Sequence, residues 1–357
     1  MTKEFHSLEV AEIVPETADA RSIRFVVPDA LKSLFAFRAG QHLTLRTTIG
    51  GEEVRRNYSL CTAPADGALT VTVKRIAGGM FSNWVANALR PGDRLDVMPP
   101  HGSFTVDFVP GASKRYVAFA GGSGITPIMS LARTALKTEP DSRFTLFYGN
   151  RDSSSVIFLD SLADLKDRYL GRFELFHFLS DEDGDVDLLN GMLDRATCDR
   201  ALEAFVADPA EVDGWFICGP GPMMDAAEAA LLGVGVDGNR IHIERFTAGR
   251  PSAALAAEMA VLQSKAAGVQ MSVTIEGRTR RIAFDGSNIL DAARAAGLSA
   301  PFACKAGVCA TCRARVTAGE VTMAARYGLT DEEIAAGYVL TCQSVPKGSG
   351  VAVDYDS

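Results

Sequence analysis

The stretch that decides the C-terminal fold is Cys304-Lys305-Ala306-Gly307-Val308-Cys309-Ala310-Thr311-Cys312. Cys342 follows after 29 intervening residues, at the end of an apolar run, Tyr338-Val339-Leu340-Thr341. Three close cysteines spaced x4 and x2, with a distant fourth, are the plant-type spacing of a [2Fe–2S] cluster. The small residues between the ligands let the loop wrap closely, with its N–H groups toward sulfur. We therefore predict Cys304, Cys309, Cys312 and Cys342 as cluster ligands.

Two other interpretations of these cysteines compete with the cluster. A structural zinc site usually takes cysteines as two close pairs, whereas Cys342 stands alone. Reduced core cysteines would not explain three cysteines in nine residues interleaved with Gly and Ala. The chain has seven cysteines, and an odd number does not indicate a disulfide framework. The cluster remains the favoured interpretation.

Length and charge limit the number of domains and the classes of partner that the chain can have. A chain of 357 residues predicts two or three domains. Its 36 basic and 44 acidic residues give a net charge of −8, which offers no basic footprint for nucleic acid or an anionic membrane. No apolar run of about 18 residues appears, and the N-terminal stretch lacks the apolar region of a secretory signal. We expect a soluble, cytoplasmic protein.

Two different rhythms divide the first 250 residues. Up to residue 110, short β-like runs broken by Gly, Pro and Asp predict an antiparallel barrel. One helix interrupts it, with Ser82 as the expected N-cap and Pro91-Gly92 as the stop. From 111 to 250, apolar strands alternate with glycine-bearing turns and helices, which predicts an α/β domain with a parallel sheet. The last strand of that domain is expected over Arg240–Phe246.

The remaining chain is predicted to hold a linker and a small domain. Residues 251–268 contain Pro251 and an Ala-rich stretch, and we expect an interdomain linker there. Residues 269–357 read as a compact α+β ferredoxin-like domain with one clear helix, Ile289–Ala296. This domain holds nine basic and nine acidic residues, so the net negative charge lies on residues 1–268.

The segment Arg55-Arg56-Asn57-Tyr58-Ser59-Leu60 follows a β-like run, and it resembles the R-x-Y-S motif of the ferredoxin–NADP reductase family. The resemblance implies a guanidinium on the flavin pyrophosphate, a tyrosine ring on the isoalloxazine and a hydroxyl at flavin N5. The segments Val71-Thr72-Val73-Lys74-Arg75 and Gly78-Gly79-Met80-Phe81-Ser82 resemble the second flavin segment of the family. Phe81-Ser82-Asn83-Trp84 resembles its FAD-binding more than its FMN-binding members. The flavin-binding residues implied are Arg56, Asn57, Tyr58, Ser59, Val73, Lys74, Gly79, Met80, Phe81 and Ser82.

The nicotinamide half also resembles this family. Gly121-Gly122-Ser123-Gly124-Ile125-Thr126-Pro127 resembles its glycine loop, which implies that Gly122 and Thr126 contact the nucleotide. Cys218-Gly219-Pro220 resembles its CGP segment, with the Cys218 thiol near the nicotinamide. Phe246 is expected to shield the flavin. Ser59, Cys218 and Phe246 are thus the residues expected at the chemistry.

Residues of the nicotinamide and cluster domains also predict the preferred nucleotide and the kind of partner. The strand Tyr148-Gly149-Asn150 does not end in an acidic residue that would bind the ribose 2′-hydroxyl of NADH. Arg151 could instead make a bidentate contact with the 2′-phosphate of NADPH, together with the serines that follow it. The sequence therefore predicts a preference for NADPH over NADH. The domain order implies electron flow from NAD(P)H through FAD and a [2Fe–2S] cluster to a partner. The resemblance covers essentially the whole chain and implies that this partner is the oxygenase component of a multicomponent system. A reductase of a steroid or alkane-type hydroxylase and a non-oxygenase electron-transfer subunit remain open. Lys305, Arg313 and Arg315 flank the cysteine loop, and we predict that they face an acidic patch on the partner.

Overall fold

The computed structural model describes residues 4–247 and 253–357 of the chain. The chain forms two compact units that meet in sequence between Glu244 and Arg245. The first unit holds the barrel and the parallel sheet, and the second holds the cysteine cluster. In the described residues, no helix is long and apolar enough to cross a membrane.

The N-terminal part is an antiparallel barrel, as the strand pattern predicts. Its sheet has the order β4-β3-β6-β1-β2-β5, and a bridge between Leu60 and Val71 joins its two edges. Apolar side chains on alternate positions fill the interior, among them the fully buried Leu8, Ile23 and Leu43. The elements are β1 (His6–Pro15), β2 (Ala20–Val26), β3 (His42–Ile49), β4 (Glu52–Ser59), β5 (Leu69–Lys74), α1 (Met80–Asn87) and β6 (Arg94–His101).

The predicted start of helix α1 was wrong. The helix begins at Met80 with Gly79 as its N-cap, and no side chain caps it. Ser82 lies in the first turn instead, where its Oγ accepts the Ile76 N–H at 3.1 Å. The hydroxyl thus anchors the loop before the helix. The N-cap preference of serine does not predict this hydrogen bond.

A parallel five-stranded sheet with the order β11-β10-β7-β8-β9 follows the barrel. The order reverses between β7 and β10, and ligands of such sheets bind at this switch point, beyond the carboxyl ends of the strands. The last strand ends at Glu244, two residues before the predicted end. The elements are β7 (Arg115–Gly121), α2 (Ile125–Thr138), β8 (Arg143–Asn150), α3 (Leu159–Arg168), β9 (Phe173–Leu179), α4 (Arg195–Phe205), β10 (Gly214–Cys218), α5 (Gly221–Gly233) and β11 (Ile241–Glu244).

The C-terminal unit is a mixed sheet with the order β13-β12-β18-β14-β16 and a two-stranded β15-β17 sheet. Helix α7 is capped by the side chain of Asn288 and agrees with the predicted helix to within one residue. The elements are α6 (Ala253–Ala266), β12 (Gln270–Ile275), β13 (Arg278–Ala283), α7 (Ile289–Ala295), β14 (Arg313–Ala318), β15 (Val321–Met323), α8 (Asp331–Ala335), β16 (Tyr338–Leu340), β17 (Ser344–Pro346) and β18 (Ala352–Asp354).

Helix α6 occupies most of the stretch expected to be a linker. Its Met259 and Ala266 are buried in the same core as Met271 and Val353. The stretch from Ala253 therefore contributes to the C-terminal fold. Residues 251 and 252 of the expected linker lie outside the described residues.

Candidate functional site

The cysteine loop has a backbone that brings its N–H groups inward. Lys305, Gly307 and Ala310 adopt φ of 53°, 74° and 54°, the left-handed region that turns a chain sharply. A Cβ on Gly307 would lie 2.9 Å from Gln343 Cγ, so only glycine fits there. The Ala306 N–H donates to Cys304 Sγ at 3.3 Å, as expected for a thiolate ligand.

The four cysteine side chains meet as two pairs. Cys309 lies close enough to Cys304 to raise the pKa of its thiol, and Cys342 likewise raises the pKa of Cys312. In the part of the chain that the structure describes, no group of three or more His, Cys, Asp or Glu is placed to hold one metal ion. Two irons bridged by sulfides take two thiolates each, so the paired arrangement fits a [2Fe–2S] cluster better than a single zinc.

Burial shields this site from water. Cys309, Cys312 and Cys342 are at most 6% exposed, while Cys304 is half-buried. Leu340 and Val339, from the apolar run before Cys342, are buried as well, and Leu340 shares a core with Cys312 and Cys342. Behind the loop the Tyr355 hydroxyl donates to Thr341 Oγ1 at 2.7 Å. Burial and nearby hydrogen bonds are the terms by which a protein tunes a cluster potential.

The basic residues around the loop are not a free patch. Lys305 Nζ lies 2.6 Å from Asp291 Oδ1, and Arg313 is ion-paired with Glu333. Arg315 donates to the Ala336 carbonyl. Lys305 and Arg313 are therefore already paired with acidic residues of the same domain, and the prediction that these basic residues face an acidic patch on a partner stays a prediction.

The flavin segment lies on β4 and at the edge of the barrel. Arg56 is exposed, whereas Ser59 is buried. The Tyr58 ring lies 5.6 Å from that of Phe81, centroid to centroid, and burial raises the pKa of its hydroxyl. Arginine toward solvent, an aromatic face and a buried hydroxyl along one strand fit the pyrophosphate and ring of a flavin.

Helix α1 begins within the second segment predicted to bind the flavin. Its first-turn N–H groups, from Met80 to Ser82, have no acceptor within the helix, and such amides bind phosphate. A Cβ on Gly79 would lie 2.6 Å from Ser82 Oγ, so the turn is closely packed. Phe81 is only 1% exposed as a whole residue, and its predicted contact with the flavin stays a prediction. Val73 is likewise buried in the barrel core.

The glycine loop after β7 reaches the end of β10. A Cβ on Gly124 would lie 2.0 Å from the Cys218 carbonyl oxygen. Thr126 is buried, and its hydroxyl donates to the Ser123 carbonyl at 3.1 Å. A Cβ on Gly122 would come within 3.7 Å of Lys74 Nζ. The loop therefore meets both the predicted nicotinamide residue Cys218 and the flavin segment.

Cys218 lies at the carboxyl end of β10 and is fully buried. Burial, and then the neighbouring Glu244, raise the pKa of its thiol, so it is neutral at physiological pH. Glu244 is its register partner on β11. Sequence reasoning did not assign a role to Glu244, although its position at the end of a parallel strand was a usable signal.

The predicted 2′-phosphate site is more crowded than expected. Arg151 is exposed at the end of β8, but the Ser154 hydroxyl donates to Asp152 Oδ1 and the Ser155 hydroxyl to the Asp152 carbonyl. Glu182 also accepts the Ser153 N–H at 2.7 Å. These contacts leave Arg151 as the main candidate for a 2′-phosphate.

Phe246 follows the end of β11 and is 38% exposed. It belongs to the second compact unit, which begins at Arg245. Its role as a shield on the flavin stays a prediction.

The barrel with its flavin segments, the parallel sheet with its glycine loop and the paired cysteines together define a pyridine-nucleotide-dependent flavin and iron–sulfur reductase. Three families match in the same order. These are an oxidoreductase FAD-binding domain over residues 7–106, an oxidoreductase NAD-binding domain over 119–229 and a 2Fe-2S iron-sulfur cluster binding domain over 273–347.

Curated relatives match along the whole chain. A subunit of the 1,2-phenylacetyl-CoA epoxidase of Escherichia coli is 45% identical, over 99% of this chain and 98% of that protein. The ferredoxin reductase component of 3-ketosteroid-9-alpha-monooxygenase of Mycobacterium tuberculosis is 36% identical, over 98% of this chain and 95% of that protein. The chain belongs to this family of oxygenase reductases, which use NAD(P)H, FAD and a [2Fe–2S] cluster.

Solved structures agree with this assignment. Phthalate dioxygenase reductase matches with a TM-score of 0.61 and 25% identity, over 98% of each chain. An intact type IV self-sufficient cytochrome P450 monooxygenase matches with a TM-score of 0.71 and 24% identity. The match covers 99% of this chain but only 42% of the P450 chain, and it shows a shared fold alone.

Proposed function

We propose that the chain is the reductase of a phenylacetyl-CoA epoxidase and delivers electrons from NADPH to the oxygenase subunits of that system. The observation that carries the proposal is the 45% identity to the Escherichia coli epoxidase subunit, which extends over both proteins almost completely. The 3-ketosteroid and glycine betaine monooxygenase reductases also match along nearly the whole chain, but with lower sequence identities of 36% and 34%.

The residues divide the work along the chain. A bound FAD would supply the conversion between the two-electron hydride donor and the one-electron [2Fe–2S] centre. Arg56 and the amides at the start of α1 would hold the pyrophosphate, and the Ser59 hydroxyl would face flavin N5. The Gly122 loop, Thr126 and Cys218 would place the nicotinamide at the switch point. Cys304, Cys309, Cys312 and Cys342 would bind the cluster in a shielded pocket.

Reconstitution tests the choice of partner. The purified holoprotein is mixed with the oxygenase subunits of a phenylacetyl-CoA epoxidase, NADPH and phenylacetyl-CoA, and epoxide formation is measured. We expect turnover that depends on this chain and is at least about tenfold faster than with a 3-ketosteroid oxygenase and its substrate, since partner surfaces discriminate by such factors. Equal or faster turnover with the steroid system would contradict the proposal.

Cofactor preference is tested at Arg151. We expect a modest preference for NADPH in kcat/KM and about a tenfold fall in the NADPH value for Arg151→Ala, because a guanidinium–phosphate fork is lost. The NADH value should hardly change, since NADH has no 2′-phosphate. Stopped-flow reduction of the flavin by each nucleotide measures both values. An equal fall for NADH and NADPH would show that Arg151 does not read the 2′-phosphate.

A further inference from the structure

A buried histidine connects the flavin segment to the nicotinamide side of the site. His42 begins β3, and its register partner on β4 is Ser59. Its side chain is 5% exposed, and Nδ1 lies 3.9 Å from Glu244 Oε1, on a side chain 12% exposed. Glu244 is in turn the register partner of Cys218. His42 therefore links the barrel to the carboxyl ends of β10 and β11.

The hydrogen bonds around His42 fix its tautomer. The Thr44 hydroxyl donates to Asn57 Oδ1 at 2.9 Å, so the amide nitrogen of Asn57 is the atom that faces His42. That nitrogen lies 3.4 Å from His42 Nε2, and an amide N–H can only donate. Nε2 is then the acceptor and the ring proton sits on Nδ1, directed at Glu244.

The donor on Nδ1 is not used elsewhere. Nδ1 is buried and has no hydrogen-bond partner among the described residues. A buried N–H without an acceptor is costly, and 3.9 Å is too long for a hydrogen bond. A small rotation of the Glu244 side chain would close that distance and satisfy the donor.

Packing holds the imidazole in place. The His101 ring on β6 lies edge-on at 4.2 Å between centroids. Gly102, at φ 120°, comes so close that a Cβ there would lie 2.8 Å from His42 Nδ1. Among the described residues, the titratable groups around this cluster include His101 from β6, Glu244 from β11 and, next to Glu244, Cys218 from β10. Burial, and then His101, lower the pKa of His42, so the ring is neutral near pH 7 and acts as a hydrogen-bond donor rather than as a charge.

We propose that His42 is a positioning residue of the nicotinamide site, whose Nδ1–H turns the Glu244 carboxylate toward the nicotinamide beside Cys218 and holds it there. Loss of hydride leaves the nicotinamide ring of NAD(P)⁺ positively charged. A fixed carboxylate stabilises that charge in a buried site. The inference rests on the proposed placement of the nicotinamide near Cys218.

The arrangement also has a consequence for pH. A donor to a carboxylate stabilises its charged form and lowers its pKa. Without the His42 donor, Glu244 takes up a proton at higher pH, so binding of the nicotinamide cation weakens earlier as the pH falls.

Two variants separate positioning from packing. In His42→Asn, the amide nitrogen replaces Nδ1 and keeps a donor toward Glu244. In His42→Gln, the amide reaches the position of Nε2 and leaves no donor at Nδ1. NADP⁺ and NAD⁺ are titrated into the oxidised holoprotein at several pH values between about 5.5 and 8, and Kd is determined from difference absorption spectra.

We expect about tenfold weaker binding of both nucleotides by His42→Gln, with the deficit growing toward low pH, and a Kd within about twofold of wild type for His42→Asn. A packing role alone would weaken both variants alike and leave the pH profile unchanged, and that result would overturn the proposal. Flavin and iron content are measured on each preparation. His6→Gln, in a second partly buried histidine of the barrel, is the matched control and should bind like wild type.

A double-mutant cycle keeps the test decisive if His42→Gln folds poorly. In Glu244→Gln, the further change His42→Asn or His42→Gln should alter Kd by less than about twofold, because the group they position is gone. Full additivity would overturn the proposal. An unchanged Kd in Cys218→Ala would instead refute the placement of the nicotinamide near Cys218. Failure of that placement and failure of the His42 proposal are therefore distinguishable.

Discussion

Replacing Cys309 with serine is expected to abolish electron delivery to a one-electron protein acceptor while NADPH-driven reduction of ferricyanide continues. Ferricyanide takes electrons from the flavin, whose predicted binding residues lie on β4, on β5 and at the start of α1. Cytochrome c, used as the protein acceptor, depends on the cluster. Cys309 is 4% exposed and is one of the four cysteines expected to hold the cluster, so its loss would remove a ligand.

The measurement compares cytochrome c and ferricyanide turnover with iron content and the visible spectrum. We expect cytochrome c reduction to fall by about 100-fold or more, since the loss of a metal ligand removes most of the bound cluster. Cys61→Ser is the matched control: its buried thiol donates to the Thr70 carbonyl at 3.4 Å, a bond that serine can also make. Undiminished cytochrome c reduction by Cys309→Ser would place the cluster outside the electron path.

Local patterns carried most of the sequence-based prediction. Cys304 to Cys312 and Gly121 to Gly124 are motifs in which close backbone approach dictates the residue types, and such constraints are visible in a few consecutive letters. The parallel sheet was equally readable, because buried strands such as Tyr116 to Gly121 are continuous apolar runs. The comparisons confirmed the fold class, the cofactors and the reductase function.

Contacts between residues far apart in sequence could not be read in this way. His42 and Glu244 are neighbours only because the start of β3 lies beside the end of β11. The pairing of Lys305 with Asp291 depends on where helix α7 packs. The Ala-rich sequence of α6 has no apolar stripe that would predict a buried helix face. Its packing against the C-terminal core was therefore not predicted.

The glycine loop after β7 provides the other large expected effect. Gly124 has φ −62° and ψ −13°, which any residue adopts, so its requirement is purely steric. A Cβ there would lie 2.0 Å from the Cys218 carbonyl oxygen, 2.3 Å from its carbon and 2.7 Å from the Gly219 nitrogen. All three are backbone atoms that cannot rotate away. Gly124→Ala must therefore push the loop from the end of β10.

We expect Gly124→Ala to slow reduction of the flavin by NADPH by about 100-fold, the usual cost of displacing reacting groups by about 1 Å. Reduction by dithionite should be unaffected, because it needs no nucleotide site. Stopped-flow absorbance at the flavin band measures both rates, and flavin content together with Tm shows whether the fold is intact. Gly221→Ala is the matched control, since a Cβ at that position, three residues beyond Cys218, meets nothing within 4 Å. A wild-type rate for Gly124→Ala would mean that the contact between the glycine loop and the end of β10 does not position the nicotinamide, whereas equal losses for both variants would point to a general intolerance of the region.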